Sequence, residues 1–334
     1  MVTRKELARR ANVAESTVTR VLNGGYASEK TREKVMKLAK ELNYVPNALA
    51  QGLRTRRSGQ IACVVPSIDS PFYGPVMQGV EDVAKHHDYV LSVYSSSVVE
   101  SRGGTGFFTG RHDAVILISV NHEVVLRQLH GVRIPVVVYS DNGVSLEYNG
   151  EQLPTVAVNL RDELQEVVDY FVRHGHRHIG YIGTEDADKP ANPRLDGFVT
   201  AMRRHELPIH HAIQFIPGHG SMESGYTGMA ELVRKMPNLT AVVTMNDLVS
   251  FGAMRWMQDQ GIRVPEDISI VGCDDLAFSS MCYPQLTTIQ IPKNEIGRQL
   301  MLTTLKSMED SEVPFTLLPT RMIVRASATN VRRI

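Results

Sequence analysis

Apolar positions in the first 55 residues recur at helical spacing. Leu7, Ala8 and Ala11 make one stripe, and Val18, Val21 and Leu22 make the next. Thr3 with Glu6 reads as a capping box, in which two side chains satisfy orphan N–H groups at a helix start. Asn12 falls at the turn between the stripes, where Asn tolerates a left-handed backbone. Two short helices at this spacing predict a helix-turn-helix, whose second helix lies in the DNA major groove. A third helix over 31–43 places Val35, Leu38, Ala39 and Leu42 on one face, with Ser28 as its cap. Pro46 can then start a helix over 47–53 that carries Ala48, Leu49, Ala50 and Leu53 but has little to bury them against. A helix that short is marginal in water. Two readings stay open: a helix that forms on DNA with Leu53 as a minor-groove wedge, or a flexible linker.

After Ser58 the pattern changes to strands alternating with helices. Short apolar runs at 61–65, 90–94, 114–118 and 135–139 read as buried strands, and 73–86 as an amphipathic helix. A second series begins near Thr155, with strands at 155–158, 179–182, 212–216, 241–244 and 268–271. Its helices are at 162–174, 195–205, 223–236 and 248–260. Near-continuous apolar strands separated by helices predict parallel sheets covered on both faces. Two doubly wound units of this kind place a ligand crevice at the C-terminal ends of their strands. Gly103, Gly104, Gly106 and Gly110 weaken any helix between 95 and 112, so a loop or a short, frayed helix is expected there.

Charge sharpens the first part of this picture. Residues 1–58 hold 13 Lys+Arg and 5 Asp+Glu, whereas the remainder holds 23 and 31, so a neutral chain divides into a basic arm and an acidic body. Basic side chains near phosphates release counterions and supply salt-dependent DNA affinity. No apolar run approaches the length of a membrane span, and the charged N-terminus is unlike a secretory signal, so a cytoplasmic protein is expected. Cys63, Cys273 and Cys282 are too few for a disulfide framework and read as small core residues.

The order and spacing of the motifs identify a resemblance to the LacI/GalR family of bacterial transcription regulators over nearly the whole chain, from Thr3 to about Arg325. In the headpiece they stand as Leu7-Ala-x-x-Ala, Ser16-Thr-Val-Thr-Arg-Val-Leu-Asn23 and Thr31-Arg-Glu-Lys-Val35. They continue as Leu42-Asn-Tyr-Val-Pro-Asn47, Ala50-Gln-Gly-Leu53 and Ser70-Pro-Phe-Tyr73. The later ones are His174-Gly-His-Arg-His-Ile179, Arg194-Leu-Asp-Gly-Phe198, Asn246-Asp247, Val271-Gly-Cys-Asp-Asp275 and Leu286-Thr-Thr-Ile289. The resemblance implies an α/β protein with an all-α helix-turn-helix headpiece (1–44) and a hinge helix or linker (45–57). A two-lobed, periplasmic-binding-protein-like core of doubly wound parallel sheets follows. Its first lobe is 58–158 with 290–318, and its second is 159–289 with 319–334, which requires three crossovers.

The resemblance also assigns residues. On DNA it implies Thr3, Ala14, Glu15, Ser16, Thr17, Thr19, Arg20, Asn23, Ser28 and Thr31 from the headpiece, and Asn47, Ala50, Gln51 and Leu53 from the hinge. Glu15 and Ser16 fall where the family reads base edges and Arg20 where it contacts DNA. Glu15 can accept from a cytosine amino group and Arg20 can bridge a guanine edge, whereas Thr17, Asn23, Ser28 and Thr31 suit phosphate contact. Ala14 departs from the family's usual capping Ser. In the core the implied effector ligands are Phe72, Tyr73, Ser140, Asp141, Arg194, Asn246 and Asp274. An acid is usual where Ser140 stands, and here Asp141 follows it. Asp275 reads instead as a helix cap.

Other signals are weaker. His174, His176 and His178 look like a metal tract but match the family's helix-to-strand turn, and no Cys or carboxylate cluster accompanies them. The glycines of 103–106 lack the context of a phosphate loop, and no nucleophile elbow appears. Met202, Met229, Met245, Met254 and Met257 read as core filler. No metal, cofactor or catalytic residue is expected. The expected protein is a sugar-responsive regulator, with palindromic double-stranded operator DNA and a small sugar or sugar phosphate as partners. One recognition helix reads one half-site, so a homodimer is expected, and with no heptad tail to build a tetramer. The alternative is a sugar-binding receptor or enzyme on the same core without a DNA role; the headpiece is the feature that separates them.

Overall fold

The computed structural model describes residues 2–22, 24–44, 57–102, 107–120, 122–129, 134–184, 192–309 and 314–331. Asn23, Asn47, Ala50, Gln51 and Leu53, the helix expected over 47–53 and the glycines of 103–106 lie outside these residues. The chain divides into two compact units, Met1–Ser58 and Gly59–Ile334.

In the first unit the apolar stripes form three helices around one small core: α1 (Arg4–Ala11), α2 (Glu15–Leu22) and α3 (Glu29–Glu41). Leu7, Ala8, Ala11, Val18, Val21 and Val35 are buried together, with Val13, Leu38, Leu42 and Tyr44 packed against them. Asn12 closes α1 in the left-handed conformation, at φ 53°.

The second unit contains two six-stranded sheets. Its elements run β1 (Gln60–Val65), α4 (Tyr73–Ala84), β2 (Val90–Ser95), α5 (Ser96–Arg102), β3 (Ala114–Ile118), α6 (His122–Gln128) and β4 (Val136–Ser140). A hairpin, β5 (Glu147–Tyr148) and β6 (Glu151–Gln152), leads to β7 (Thr155–Ala157). Next come α7 (Leu160–Arg173), β8 (Ile179–Thr184), α8 (Pro193–Arg204), β9 (Ile213–Ile216), α9 (Met222–Lys235), β10 (Ala241–Thr244), α10 (Asp247–Asp259) and β11 (Ser269–Asp274). The chain closes with β12 (Thr287–Gln290), α11 (Lys293–Glu309), β13 (Phe315–Leu317) and β14 (Arg321–Ile323).

The first sheet is parallel, in the order β13-β7-β4-β3-β1-β2. The second has the order β14-β12-β11-β10-β8-β9 and is parallel except for the antiparallel edge β14. The backbone therefore crosses between sheets after β7, after β12 and after β13.

One expectation is corrected here. The apolar run near Thr155 does not open the second series; β7 pairs with β4 in the first sheet, with Val138 opposite Thr155. A buried parallel strand reads the same in either sheet, so hydrophobicity alone could not assign it. The weakened helix after β2 is seven residues long, in keeping with the glycines that follow it.

Glycines set the closest helix contact in the first lobe. A Cβ on Gly79 of α4 would lie 2.0 Å from the Asn294 carbonyl oxygen, and one on Gly297 of α11 would lie 1.9 Å from that of Val76. No other residue type lets two helix backbones approach so closely. Among the described residues, no helix is long and apolar enough to cross a membrane.

Candidate effector cleft and DNA-reading face

A cleft of about 710 Å³ is lined by residues that follow the C-terminal ends of strands in both sheets. Pro66 follows β1 and Ser119 follows β3, while Met245 follows β10 and Thr184 ends β8. These pairs flank the points where each doubly wound sheet reverses its strand order, where such folds open a crevice. All seven residues singled out for the effector line this cleft: Phe72, Tyr73, Ser140, Asp141, Arg194, Asn246 and Asp274.

Arg194 is the centre of the site. Asn192 caps α8 by accepting from the Leu195 amide at 3.2 Å, and Pro193 fixes the first helical residue, so the Arg194 backbone is held from both sides. Its Nη1 donates to Asp141 Oδ2 at 2.7 Å, an ion pair that joins a first-lobe loop to a second-lobe helix. Its Nε is buried without a hydrogen-bond partner. The expected acid thus stands one position beyond Ser140, whose hydroxyl instead accepts from the Asn142 amide.

Asp274 ends β11 at φ 125°, a conformation L residues rarely adopt, and is 6% exposed. Its carboxyl accepts no hydrogen bond from any described residue. Burial, and then the negative charge of Asp247, push it up to about 8, against the opposing influence of Arg194 and Lys293. The native state therefore holds a proton that the unfolded chain releases at its ordinary value of 3.8. Stability contributed by this site is greatest at low pH and is lost as pH rises from about 4 to about 8. Accordingly, the thermal midpoint of the ligand-free protein should fall across that range. Asp274→Asn should flatten the fall, leaving the share from Asp247, whose carboxyl is also raised by burial. Calorimetric melts from pH 5 to pH 8 check this, and equal slopes in the two proteins would refute it.

Asp247 is structural. It is fully buried and accepts from the Leu276 amide at 2.8 Å and from the Ser279 and Thr288 hydroxyls at 2.5 Å each. Asn246 lines the cleft with its amide already committed. Its oxygen caps α10 at the Val249 amide, 2.9 Å away, and its nitrogen donates to the Gly220 carbonyl at 3.1 Å. Phe72 and Tyr73 meet edge to face at 5.2 Å and form the aromatic wall.

One sequence reading changes. Asp275 caps no helix: it pairs with Arg325 at 2.6 Å and accepts from Gln290 at 2.8 Å, because β12 and the segment after β14 bring those residues beside it. The three histidines of 174–178 each have a hydrogen-bonding neighbour within the protein. His174 Nδ1 lies 2.7 Å from the Tyr170 carbonyl, His176 Nε2 donates to the Thr329 carbonyl at 2.8 Å, and His178 lies beside Asn238. Cys63 and Cys273 are buried, which pushes both thiols up, that of Cys63 to about 12.

The structure also adds residues to the site. Tyr139 projects a buried hydroxyl without a partner, and the β5–β6 hairpin contributes Leu146, Glu147, Tyr148 and Asn149 to the cleft wall. The hairpin had a sequence signal, Asn149-Gly150, whose φ values of 53° and 81° fit the two-residue turn that this dipeptide favours.

On the headpiece, Thr3, Ala14, Glu15, Ser16, Arg20 and Ser28 are exposed, and Thr17, Thr19 and Thr31 are half-buried. Among the described residues neither Glu15 nor Arg20 forms an ion pair, so both charges are free to meet a groove. The Thr19 hydroxyl donates to the Glu15 carbonyl at 3.0 Å and accepts from Arg4 at 3.3 Å. Ser28 and Thr31 share a hydroxyl contact of 2.8 Å. The capping box at α1 is only half present. Thr3 accepts from the Glu6 amide at 3.2 Å, but the Glu6 carboxylate turns to Arg9 and Arg10, each at 2.7 Å. Those two guanidinium groups hold its carboxyl down at about 2.

A helix-turn-helix headpiece on a chain whose two lobes enclose a polar cleft defines a ligand-controlled DNA-binding protein. Residues 3–47 match the model for bacterial regulatory proteins of the lacI family, and residues 168–328 match the periplasmic binding protein-like domain. The chain is 32% identical to the "Probable HTH-type transcriptional repressor ExuR" of Bacillus subtilis (strain 168), over 100% of this chain and 99% of that one. It is 30% identical to the HTH-type transcriptional repressor CytR of Escherichia coli (strain K12), over 97% and 96%. A solved complex of the transcriptional regulator CelR with cellobiose superposes with a TM-score of 0.73 at 27% identity, covering 98% of this chain and 99% of that one. The chain belongs to the LacI family of bacterial regulatory proteins. It is a DNA-binding transcriptional regulator of that family and not an enzyme.

Proposed function

We propose that this regulator is a cytoplasmic homodimer that represses sugar-utilisation genes from a palindromic operator, and that a small sugar bound in the cleft lowers its operator affinity. The observation that carries this reading is the convergence of Phe72, Tyr73, Asp141, Arg194 and Asp274 from both lobes on one polar cleft. A ligand touching both lobes favours one lobe arrangement over the other. That differential contact is the source of coupling, ordinarily about 1–3 kcal/mol. The sugar complex of CelR supports a sugar as the ligand class. A surface that suits a homodimer lies in the second lobe, where Phe278, Met281 and Tyr283 are exposed beside Met222.

Glu15 and Ser16 read base edges, Arg20 contacts the groove, and Thr17, Ser28 and Thr31 position the headpiece on phosphates. Phosphates repel a carboxylate, so an exposed, unpaired Glu15 at the start of α2 suits a base contact. Selection of binding sites from random DNA should return a palindrome with the full-length protein. With Glu15→Ala it should return the same palindrome, degenerate at one position per half-site, with about 1–3 kcal/mol less discrimination there. A single unpaired half-site would overturn the dimeric reading. Unchanged preference with uniformly tighter binding would leave Glu15 only a repulsive role.

A further inference from the structure

We propose that the cleft selects an uncharged polyol and rejects phosphorylated and carboxylated sugars, with Glu147 on the β5–β6 hairpin guarding the entrance. This rests on the reading of the cleft as the effector site and narrows the class of ligand it takes.

Ionisable groups along the described lining are strongly one-sided. Asp69, Asp141, Glu147 and Asp274 are acids, while Arg194 and His219 are the groups able to carry positive charge. The Arg194 guanidinium is already engaged by Asp141. Lys293, the nearest cation behind Asp274, spends its ammonium on the carbonyls of Asp274, Asp275 and Ile291. An incoming phosphate would therefore meet carboxylates without an uncommitted Lys or Arg among the described lining residues.

Four helices begin at the cleft wall: α4, α8, α9 and α10. Helix starts attract anions through their partial positive charge and their orphan N–H groups. Three of the four already hold a side-chain cap. Asn192 accepts from Leu195 at 3.2 Å, Ser221 from Ser224 at 3.1 Å and Asn246 from Val249 at 2.9 Å. Each cap takes one of the orphan N–H groups that would otherwise meet an anion.

The groups left without partners have the opposite character from an anion receptor. Tyr139, 3% exposed, offers a hydroxyl that can both give and take a hydrogen bond. Arg194 Nε offers one N–H, and Asp274, 6% exposed, offers carboxyl oxygens. A sugar hydroxyl matches this mixed set because it can both donate to and accept from the Asp274 carboxyl while accepting from a phenol or guanidinium. A phosphate dianion or a uronate carboxylate carries acceptors only, so it can use the Tyr139 and Arg194 donors but brings further negative charge beside Asp69, Asp141 and Glu147. The raised proton affinity of Asp274 fits the same picture: the site is already too negative and too dry to ionise one of its own acids fully.

Glu147 extends that field to the mouth of the cleft. It lies on a two-residue hairpin whose turn, Asn149-Gly150, needs positive φ at both positions and is thus well defined. Gln152 donates to Glu147 Oε2 at 3.3 Å across the hairpin. The carboxylate is exposed, so its influence is screened by salt and falls within about 10 Å at 0.1 M ionic strength.

The test is isothermal titration of the full-length protein with pentoses, hexoses and disaccharides, each beside its phosphate and, where one exists, its uronate, and with inorganic phosphate. We expect at least one uncharged sugar to bind, its charged counterparts to bind about 30-fold or more weakly, and inorganic phosphate not to bind in the cleft. Glu147→Gln should narrow the gap between the uncharged and charged members about threefold at low salt, and not at high salt. A phosphate or uronate binding as tightly as its parent sugar, or saturable inorganic phosphate lost in Arg194→Ala, overturns the selection while leaving the effector site standing. A gap that Glu147→Gln leaves unchanged overturns the role of Glu147. Binding by no sugar, charged or uncharged, in protein that still binds DNA, overturns the effector site itself and the selection with it.

Discussion

Full-length protein carrying Asp274→Asn will hold its operator but will no longer release it when effector is added. Asp274 sits at the inner wall of the cleft with an uncommitted carboxyl, so in the proposed effector site it is free to hydrogen-bond a ligand. Hydrogen bonds to such a largely protonated group contribute about 0.5–1.5 kcal/mol each, and losing one or two, with a ligand hydroxyl left poorly matched, should raise the effector midpoint about 10-fold or more. Operator affinity should stay within about twofold, because the headpiece has its own core of Leu7, Ala8, Ala11, Val18, Val21 and Val35, none of which involves Asp274. Fluorescence anisotropy of labelled operator, titrated with effector, reads both quantities at once. An unchanged midpoint would make Asp274 a structural residue, and a lost operator complex would mean that it supports the DNA-bound state directly.

The largest effect on stability is expected from Gly297→Val. The position is at the contact of α11 with α4, where a Cβ would lie 1.9 Å from the Val76 carbonyl oxygen and 2.8 Å from the Val80 amide nitrogen. Both obstacles are backbone, so no rotamer change relieves the clash, and the helices must separate. Ile296, Leu300 and Met301 of α11 are buried in the core and would be drawn out with it. Overpacking at backbone contacts costs about 3 kcal/mol or more, equivalent to about 5 °C or more in melting temperature for a unit of this size. Thermal melts followed by circular dichroism check the effect, and a midpoint within about 2 °C of the parent would show that α4 and α11 can part at little cost.

What could be seen in the sequence followed from local periodicity. Residues 114–118 are apolar at every position and form a strand buried at every position. The stripes of the headpiece helices likewise form its core, with Leu7, Ala8, Ala11, Val18, Val21 and Val35 buried and Leu22, Leu38, Ala39 and Leu42 partly so. Periodicity showed the strand at Thr155–Ala157 as a strand but not as a member of the first sheet, since that depends on its partners Val138 and Leu317, 17 and 160 residues away; the family resemblance alone placed it in the first lobe. Helix α6, seven residues long, is too short to show a stripe. Within the cleft, the ends of motif runs marked Arg194, Asn246 and Asp274. The structural use of Asp247 and Asn246 could not be read, because Ser279, Thr288 and Gly220 reach them only through the tertiary fold. The partnerless hydroxyl of Tyr139 is of the same kind: an alternating apolar strand gives no sign of which polar atom will lack company.

The threefold exchange of the backbone between the sheets also bears on the order in which the chain is made. Five strands of the second sheet, β8 to β12, lie in one stretch of sequence, Ile179 to Gln290. The first sheet begins at Gln60, yet its closing strand β13 and the helix α11 that packs across α4 belong to Lys293–Leu317. On the ribosome, the lobe started earlier must wait, its α4 face bare, until nearly all of the chain has been synthesised. The lobe started later has most of its sheet in hand first. This inverts the usual N-terminal-first order and makes the uncovered surface of the first lobe the one that needs shielding during translation.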